Sequence, residues 1–388
     1  MEKKSTRPDF NYQMCILSVI GIFFMMLGHL KNDFTSVGTF YGWFPYYSFH
    51  MPLFFFISGY FYRDSYEKDL HRSLPSFLWK KIKALIIPYY VINGCFLIFQ
   101  SFLHSRGIWL GNGFSLKEWL LQPWIRPEPY TLAHPTWFLI ALFLSQIYFL
   151  LIRKLFGIFI KKQLVKEIVL LVFSFAVSCV TISLVRNIDP SSAAIIYLRS
   201  AYLMFYLQLG TFYKKILEEK DTVPGKIYLP IVFVIQLAII IYTGNSPLYS
   251  GYALMRWYDI SGFISLIAGI NGIALWLRIS RILSTIPVRS RLVMFIGDST
   301  KYIMAFHLFG YFLVNCVIYK LYMIPEVNIY VPDFNPDRFF TEVYFACNAN
   351  PRIIIIYFVV GLAVSLLVTW IIGLCRSGVR KISARRSI

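Results

Sequence analysis

The sequence predicts an all-α protein, a polytopic membrane bundle of about ten transmembrane helices with both termini in the cytoplasm. Of its 388 residues, 57% are hydrophobic and only 15% are charged, and the mean hydropathy is +0.60. This composition is typical of membrane proteins rather than of soluble domains. The apolar residues also form long segments, and Lys and Arg are concentrated in every second connection between these segments.

Hydropathy divides the chain into ten apolar segments of roughly the 20-residue length that a tilted transmembrane helix needs. The first follows a basic stretch, as in a signal peptide, but no small-residue cleavage pattern follows, so we expect a retained helix. We expect one membrane domain, 1–388, with a short basic tail at 376–388. The predicted spans are 14–33, 44–62, 82–103, 137–152, 168–185, 195–213, 227–243, 257–277, 293–319 and 352–375.

The distribution of positive charge supports this count. With the amino terminus inside, most of the 38 Lys and Arg residues fall in the two tails and in the cytoplasmic stretches 63–83, 153–166, 214–226 and 278–301. Losing one helix would invert every later loop, so we expect a plasma-membrane protein with both termini in the cytoplasm. The net charge of +19 is then explained by the cytoplasmic Lys and Arg residues, which also attract anionic membrane lipids. No nucleic-acid partner is expected, because a basic stripe with stacking aromatics on a soluble face is missing.

The six cysteines predict neither a disulfide framework nor a metal site. Five lie in or beside apolar spans, and Cys347 alone is expected in an outer loop. No CxxC pair or Cys/His ligand spacing occurs, so we expect small buried side chains and no metal.

Four histidines and an arginine are the unusual residues of the predicted spans and their ends. Ionisable groups at membrane depth are costly, and a fold that retains them usually uses them. His29 closes the first span at its outer end, and His50 lies roughly two turns below the outer surface in the second. The other polar and aromatic candidates on or above the outer half are His134, Trp137, Arg199 and His307.

Each candidate also has a structural explanation. His29 would sit among the lipid headgroups, and Arg199 would snorkel to the outer interface. His50 would bridge helices by a hydrogen bond, and His307 would also bridge helices without taking part in chemistry. Asp298 and Lys301, three residues apart, either pair with each other or line a path from the inner face to a cavity in the outer leaflet.

Several short motifs occur in order along the chain. The most specific is Phe49-His50-Met51-Pro52-Leu53-Phe54, with Leu27-Gly28-His29 before it and Ser58-Gly59-Tyr60 after it. Weaker motifs are Lys80-Lys81-Ile82-Lys83 with Pro88-Tyr89, Trp137-Phe138-Leu139, Leu209-Gly210, and Gly297-Asp298-Ser299-Thr300-Lys301-Tyr302 ahead of His307. Over nearly the whole chain, this set resembles the acyltransferase 3 family, multispanning membrane enzymes that modify cell-surface sugars.

The resemblance implies an O-acyltransferase that uses cytosolic acetyl-CoA, or another acyl-CoA, to modify a hydroxyl of a surface polysaccharide or its lipid-linked precursor. His29 matches the family's first-helix histidine and is the expected base or transient acyl carrier. His50 would orient the acceptor or stabilise oxyanion charge. Lys80 and Lys83 stand at Arg-x-x-Arg positions that hold acyl-CoA, and they keep the charge without the bidentate fork. Acceptor contacts are expected from His134, Trp137, Arg199 and His307.

One departure concerns the first helix. The family carries an acidic residue there and an arginine eleven residues before the histidine, close to three turns, whereas this chain has Cys15 and Ser18. A degenerate, non-catalytic member therefore stays open. So does a transporter of glycan or lipid-linked intermediates, in which the same histidines and Arg199 line a path. The acceptor sugar, its hydroxyl, the acyl group and the oligomeric state, a homo-oligomer included, also stay open.

Overall fold

The computed structural model is helical throughout the residues it describes, apart from turns and one isolated β-bridge between Gly251 and Arg256. Side-chain caps begin several helices: Asn11, Ser115 and Ser290 each accept a hydrogen bond from the backbone N–H three residues later. The described residues are 11–30, 40–63, 70–108, 115–126, 131–244, 250–252, 255–256, 261–324 and 351–386.

The helices occur at each of the ten predicted spans, with further helices in the connections. The helices Leu70–Lys81 and Ile87–His104 are joined through a π-helical turn at Ile82–Ile86, and a 3-10 turn at Thr131–Thr136 leads into the helix Trp137–Phe159. The helices are α1 Tyr12–Gly28, α2 Phe40–Trp43, α3 Tyr46–Tyr60, α4 Leu70–Lys81, α5 Ile87–His104, α6 Leu116–Ile125, α7 Trp137–Phe159, α8 Gln163–Val185, α9 Ala194–Phe212, α10 Gly225–Tyr242, α11 Gly262–Ser284, α12 Arg291–Tyr322 and α13 Pro351–Arg386.

Seven helical stretches in the described part of the chain are long and apolar enough to cross a membrane. The helix α1 is apolar but shorter, and α3 has 15 residues. The protein is therefore an all-helical membrane protein, while the count of ten spans and the side of the termini stay predictions. Cys347 lies outside the described residues. The seven stretches are Leu74–His104, Leu132–Phe159, Gln163–Val185, Gly225–Tyr242, Gly262–Ser284, Arg291–Tyr322 and Ile353–Cys375.

Helix α3 lies inside the bundle, packed against α1, α9 and α11. Two glycines permit its close approach to α9. A Cβ atom at Gly59 would collide with the carbonyl oxygen of Leu207, and one at Gly210 would collide with that of Phe56. Small residues at such crossings let membrane helices pack backbone to backbone. The glycines of the Ser-Gly-Tyr and Leu-Gly motifs thus have a packing role.

Replacing Gly210 by leucine is expected to force α3 and α9 apart and to lower the thermal stability of the protein. Overpacking usually costs about 1–3 kcal/mol, and here the obstacle is a backbone carbonyl that cannot rotate away. Gly157→Leu is the matched control, because nothing lies within 4 Å of a Cβ at Gly157. Unfolding midpoints in detergent compare the two variants. Equal midpoints would contradict the close helix crossing.

A buried ion network joins α7, α8 and α9. The Arg153 guanidinium donates to both carboxylate oxygens of Glu167, at 2.7 and 2.6 Å, and to Gln208 at 2.8 Å. The ammonium of Lys215 lies 3.0 Å from Glu167. The side chains of Arg153 and Glu167 are 0% exposed, so each charge depends on its protein partners rather than on water. This network fixes the three helices relative to one another.

Candidate functional site

Imidazoles from separate segments meet at the end of α1. The ring centroid of His29, which follows the last residue of α1, lies 5.2 Å from that of His307 in the middle of α12. It lies 6.2 Å from the ring centroid of His134 in the turn before α7. His50, in α3, interacts electrostatically with His29. The structure therefore brings together all four histidines that the sequence singled out.

Tyr311 holds α12 in register with α1. Its hydroxyl donates to the Met26 carbonyl at 3.0 Å, three residues before His29. The Tyr311 ring also lies 5.3 Å from the His307 ring. Because Tyr311 of α12 bonds to α1 and also contacts the His307 ring, the imidazoles of His29 and His307 are held at a defined separation.

Backbone carbonyls determine the tautomers of His50 and His307. The Nδ1 atom of His50 lies 2.6 Å from the Tyr46 carbonyl oxygen, and Nδ1 of His307 lies 2.9 and 3.0 Å from those of Ile303 and Met304. A carbonyl only accepts, so Nδ1 carries the proton in each neutral ring and Nε2 keeps a lone pair. Nε2 of the fully buried His307 has no hydrogen-bond partner among the described residues. A buried acceptor in this state indicates a place for a donor group of a ligand.

Arg199 of α9 lies near His134 and is 1% exposed. Its guanidinium carbon sits 4.8 Å from the centroid of the Trp137 ring, a cation–π contact. It also interacts electrostatically with His134 and with Tyr89 of α5. A guanidinium that snorkelled to the interface would be exposed, so the structure favours a place in the site over the snorkelling alternative.

The turn that carries His134 is held by two residues that sequence reasoning missed. Asn93 of α5 donates to the hydroxyl oxygen of Thr136 at 3.1 Å, and Thr136 donates to the Ala133 carbonyl at 2.6 Å. Asn93 and Thr136 are fully buried. The available signal was an asparagine within an apolar span, which usually bonds to a neighbouring helix.

A mostly apolar cavity of about 240 Å³ lies between α1, α3, α7 and α12. Three of its lining residues, Met25, Met51 and Met304, are each within four positions of the histidine on the same helix. The cavity therefore reaches residues that lie about one helical turn or less along the chain from His29, His50 and His307, although these histidines are not among its lining residues. The polar part of its wall consists of Ser18, Ser58, Thr300 and Lys301.

A second cavity, of about 70 Å³, shares Ser58 and Phe61 with the first and is therefore its neighbour. Its wall includes the positive side chains of Arg63, Lys80 and Lys81. Because the two cavities adjoin, we refer to them together as the path: it extends from the three cations to the wall formed by Met25, Met51 and Met304, which lie close to the histidines in sequence.

Lys83 does not line either cavity. Its ammonium instead lies 4.7 Å from the centroid of the Trp79 ring. Between α4 and α5, the π-helical turn at Ile82–Ile86 is wider than an α-helical turn and changes the side-chain register. Sequence spacing paired Lys80 with Lys83, whereas the structure puts Lys81 beside Lys80 in the cavity wall. Donor binding by Lys83 stays a prediction.

Two charged residues of α12 face the positions at which α1 departs from the expected pattern. The Sγ of Cys15 lies 2.5 Å from where a Cβ of Gly297 would be, and Cys15 interacts electrostatically with Asp298. Ser18 and Lys301 line the same cavity. An acidic and a basic residue, three positions apart, thus reach this region from α12 instead of α1.

Comparison with known proteins gives a family assignment. A family model described as an acyltransferase domain matches residues 14–372, nearly the whole chain. No curated protein and no solved structure matches. The matched range contains every site residue described above.

Proposed function

The chain belongs to the acyltransferase 3 family, and from this membership we propose that it transfers an acetyl group from cytosolic acetyl-CoA to a hydroxyl of a surface polysaccharide or its lipid-linked precursor. Acyl transfer follows from the family; the donor and the acceptor are the proposed part. One observation carries the proposal: His29, His134 and His307 meet beside a cavity whose neighbour is lined by Lys80 and Lys81.

The reaction requires a base at the acceptor. The acceptor oxygen attacks the carbonyl carbon of the thioester, the carbon–sulfur bond breaks, and the hydroxyl proton ends on the leaving thiol. We assign the base to His29, because it touches two other imidazoles and is less buried than His307. Imidazole is suited to take and return a proton near neutral pH. A transient acyl-imidazole on His29 is the second route.

Three neighbours fit supporting roles. Because His50 donates through Nδ1 to the Tyr46 carbonyl, its neutral ring offers a lone pair, which suits orientation of a sugar hydroxyl better than stabilisation of an oxyanion. The buried positive charge of Arg199 suits the oxyanion. Trp137, stacked on Arg199, presents an aromatic face of the kind that packs against a sugar ring.

The two cavities suit the donor. The cations Arg63, Lys80 and Lys81 at the smaller cavity would bind the phosphates of CoA. The larger cavity would hold the arm that carries the thioester. Lys301 brings a positive charge to the wall that also contains Ser18, which supports an active enzyme over a degenerate scaffold.

The test is acetyl transfer by the purified protein. Radiolabelled acetyl-CoA is supplied in detergent micelles together with surface polysaccharide and lipid-linked precursors from the cells of origin. We expect saturable CoA release that depends on the glycan, with label recovered as a base-labile ester. A protein that neither consumes the thioester nor binds CoA saturably, and that moves labelled lipid-linked glycan across vesicles, would be a transporter instead.

A further inference from the structure

A serine and a glutamine meet where the two cavities adjoin. Ser58 of α3 lines both cavities, and Gln146 of α7 lines the smaller one. The Gln146 amide nitrogen donates to the Ser58 hydroxyl oxygen at 2.6 Å. The pair therefore forms a polar point on the path between the cations and the histidines, in walls that are otherwise largely aromatic or aliphatic.

The hydrogen bond to Ser58 satisfies only half of the Gln146 amide. Gln146 is 6% exposed, and its Oε1 atom has no hydrogen-bond partner among the described residues. If the amide were turned by half a rotation, Oε1 would bond to Ser58 and the nitrogen would be the unpartnered atom. In either orientation, one polar atom of a buried side chain lies unpartnered in a cavity wall. Such groups are rare in folded proteins, and each requires an explanation.

The position of the pair along the path restricts the ligand. Ser58 is eight residues from His50 on the same helix, about 12 Å at 1.5 Å per residue. The cations of the smaller cavity lie on its other side. A ligand that reaches from phosphate-binding lysines to an acyl-transfer site passes Ser58 and Gln146 with its middle section. In a thioester of CoA, that section is the pantetheine arm, which contains two secondary amides.

We propose that Ser58 and Gln146 form a binding subsite for an amide of the pantetheine arm. The Gln146 carbonyl accepts the amide N–H of the ligand, and the Ser58 hydroxyl, which accepts from the Gln146 nitrogen, fixes the orientation of the Gln146 side chain. An amide group of the ligand thus satisfies the atom that the protein leaves unpartnered. This subsite rests on the proposed use of acyl-CoA. The subsite favours thioesters that contain the pantetheine arm over simple thioesters.

The test compares three variants with the unaltered protein. Gln146→Leu keeps the approximate volume and removes the amide, and Ser58→Ala provides a smaller second change if Gln146→Leu does not fold. Ser145→Ala is the matched control: Ser145, the neighbour of Gln146 on α7, donates to the Ser200 carbonyl at 2.6 Å and is fully buried. Its loss removes a buried interhelical hydrogen bond of similar length away from both cavities.

Two readouts separate the subsite from the proposed reaction. Titration calorimetry measures the binding of CoA and of pantetheine. Release of CoA or of the free thiol measures KM for three thioesters: acetyl-CoA, S-acetylpantetheine and the acetyl thioester of butanethiol, which has no amide. We expect Gln146→Leu to weaken the amide-containing ligands by roughly 3- to 10-fold, the value of one hydrogen bond. The butanethiol ester should be unaffected, and Ser145→Ala should leave all ligands unchanged.

Other outcomes overturn one proposal or the other. Equal losses for all three thioesters, or a lower unfolding midpoint with unchanged binding, would make the pair a structural contact and overturn the subsite. Binding of pantetheine that depends on Gln146, in a protein that transfers no acetyl group, would overturn the proposed reaction and keep the subsite. A protein that binds neither CoA nor pantetheine would overturn both.

Discussion

Replacing His29 by alanine is expected to slow acyl transfer by roughly 10²- to 10⁴-fold, the usual contribution of general acid–base catalysis, while the protein stays folded. His29 follows the last residue of α1, and its backbone N–H caps the helix by donating to the Met26 carbonyl at 3.2 Å, a bond that an alanine keeps. Removing the imidazole should therefore leave α1 intact. Glycan-dependent CoA release measures the rate, and ester signals in proton spectra of the surface polysaccharide measure the product in cells.

A histidine elsewhere in the fold provides the control. His104 is the last residue of α5, and His104→Ala should transfer acetyl groups at the unaltered rate. Unchanged transfer by His29→Ala would remove His29 from the mechanism. If His307→Ala alone abolished transfer, the base would instead be His307, whose Nε2 is the buried acceptor beside His29.

Replacing Glu167 by alanine is expected to destabilise the protein by about 3–5 kcal/mol, the usual cost of removing one partner from a buried ion pair. Arg153 would lose both of its bonds to the carboxylate and would remain in a place without water. Gln208 and Lys215 would lose the same partner. The midpoint of thermal unfolding in detergent, followed by circular dichroism, measures the loss.

Two variants show whether the buried charge causes the effect. The double change Arg153→Met with Glu167→Leu removes both charges and should recover most of the stability, because a well-packed apolar pair often replaces a buried ion pair without loss. Glu118→Ala removes a partly exposed partner that lies 3.8 Å from Arg126 and should cost no more than about 1 kcal/mol. A double variant as unstable as Glu167→Ala would show that volume, rather than charge, is decisive.

Sequence patterns located the helices closely where lipid contact dictates composition. The predicted span 227–243 matches α10, Gly225–Tyr242, and the span 168–185 falls within α8, Gln163–Val185. Both helices keep many apolar side chains exposed on the outside of the bundle. An apolar exterior is required by the bilayer wherever the helix sits, so it is visible without knowledge of the neighbours.

The same reasoning was weaker for the short helices, whether they lie inside the bundle or at its periphery. The helices α4 and α6 lie in what the sequence presented as connections, and α3 is only 15 residues long. Enclosed or peripheral helices do not need a long apolar face, so hydropathy carries less information about them. The assignment of Lys83 to the donor site came from the resemblance to the family's Arg-x-x-Arg motif, and the π-helical turn that changes the side-chain register there leaves no recognisable signal in the residues.

The sequence by itself determined that this is a helical membrane protein of the acyltransferase 3 family, and it singled out the histidines one at a time. Only the tertiary structure decided that those histidines meet, that Gln146 bonds to Ser58 where two cavities adjoin, and that Glu167 pairs with Arg153. The physical reason is the distance along the chain over which each property acts. Hydropathy acts residue by residue through contact with lipid, whereas a site depends on distances between segments far apart in the chain, and those distances are set by how the helices pack.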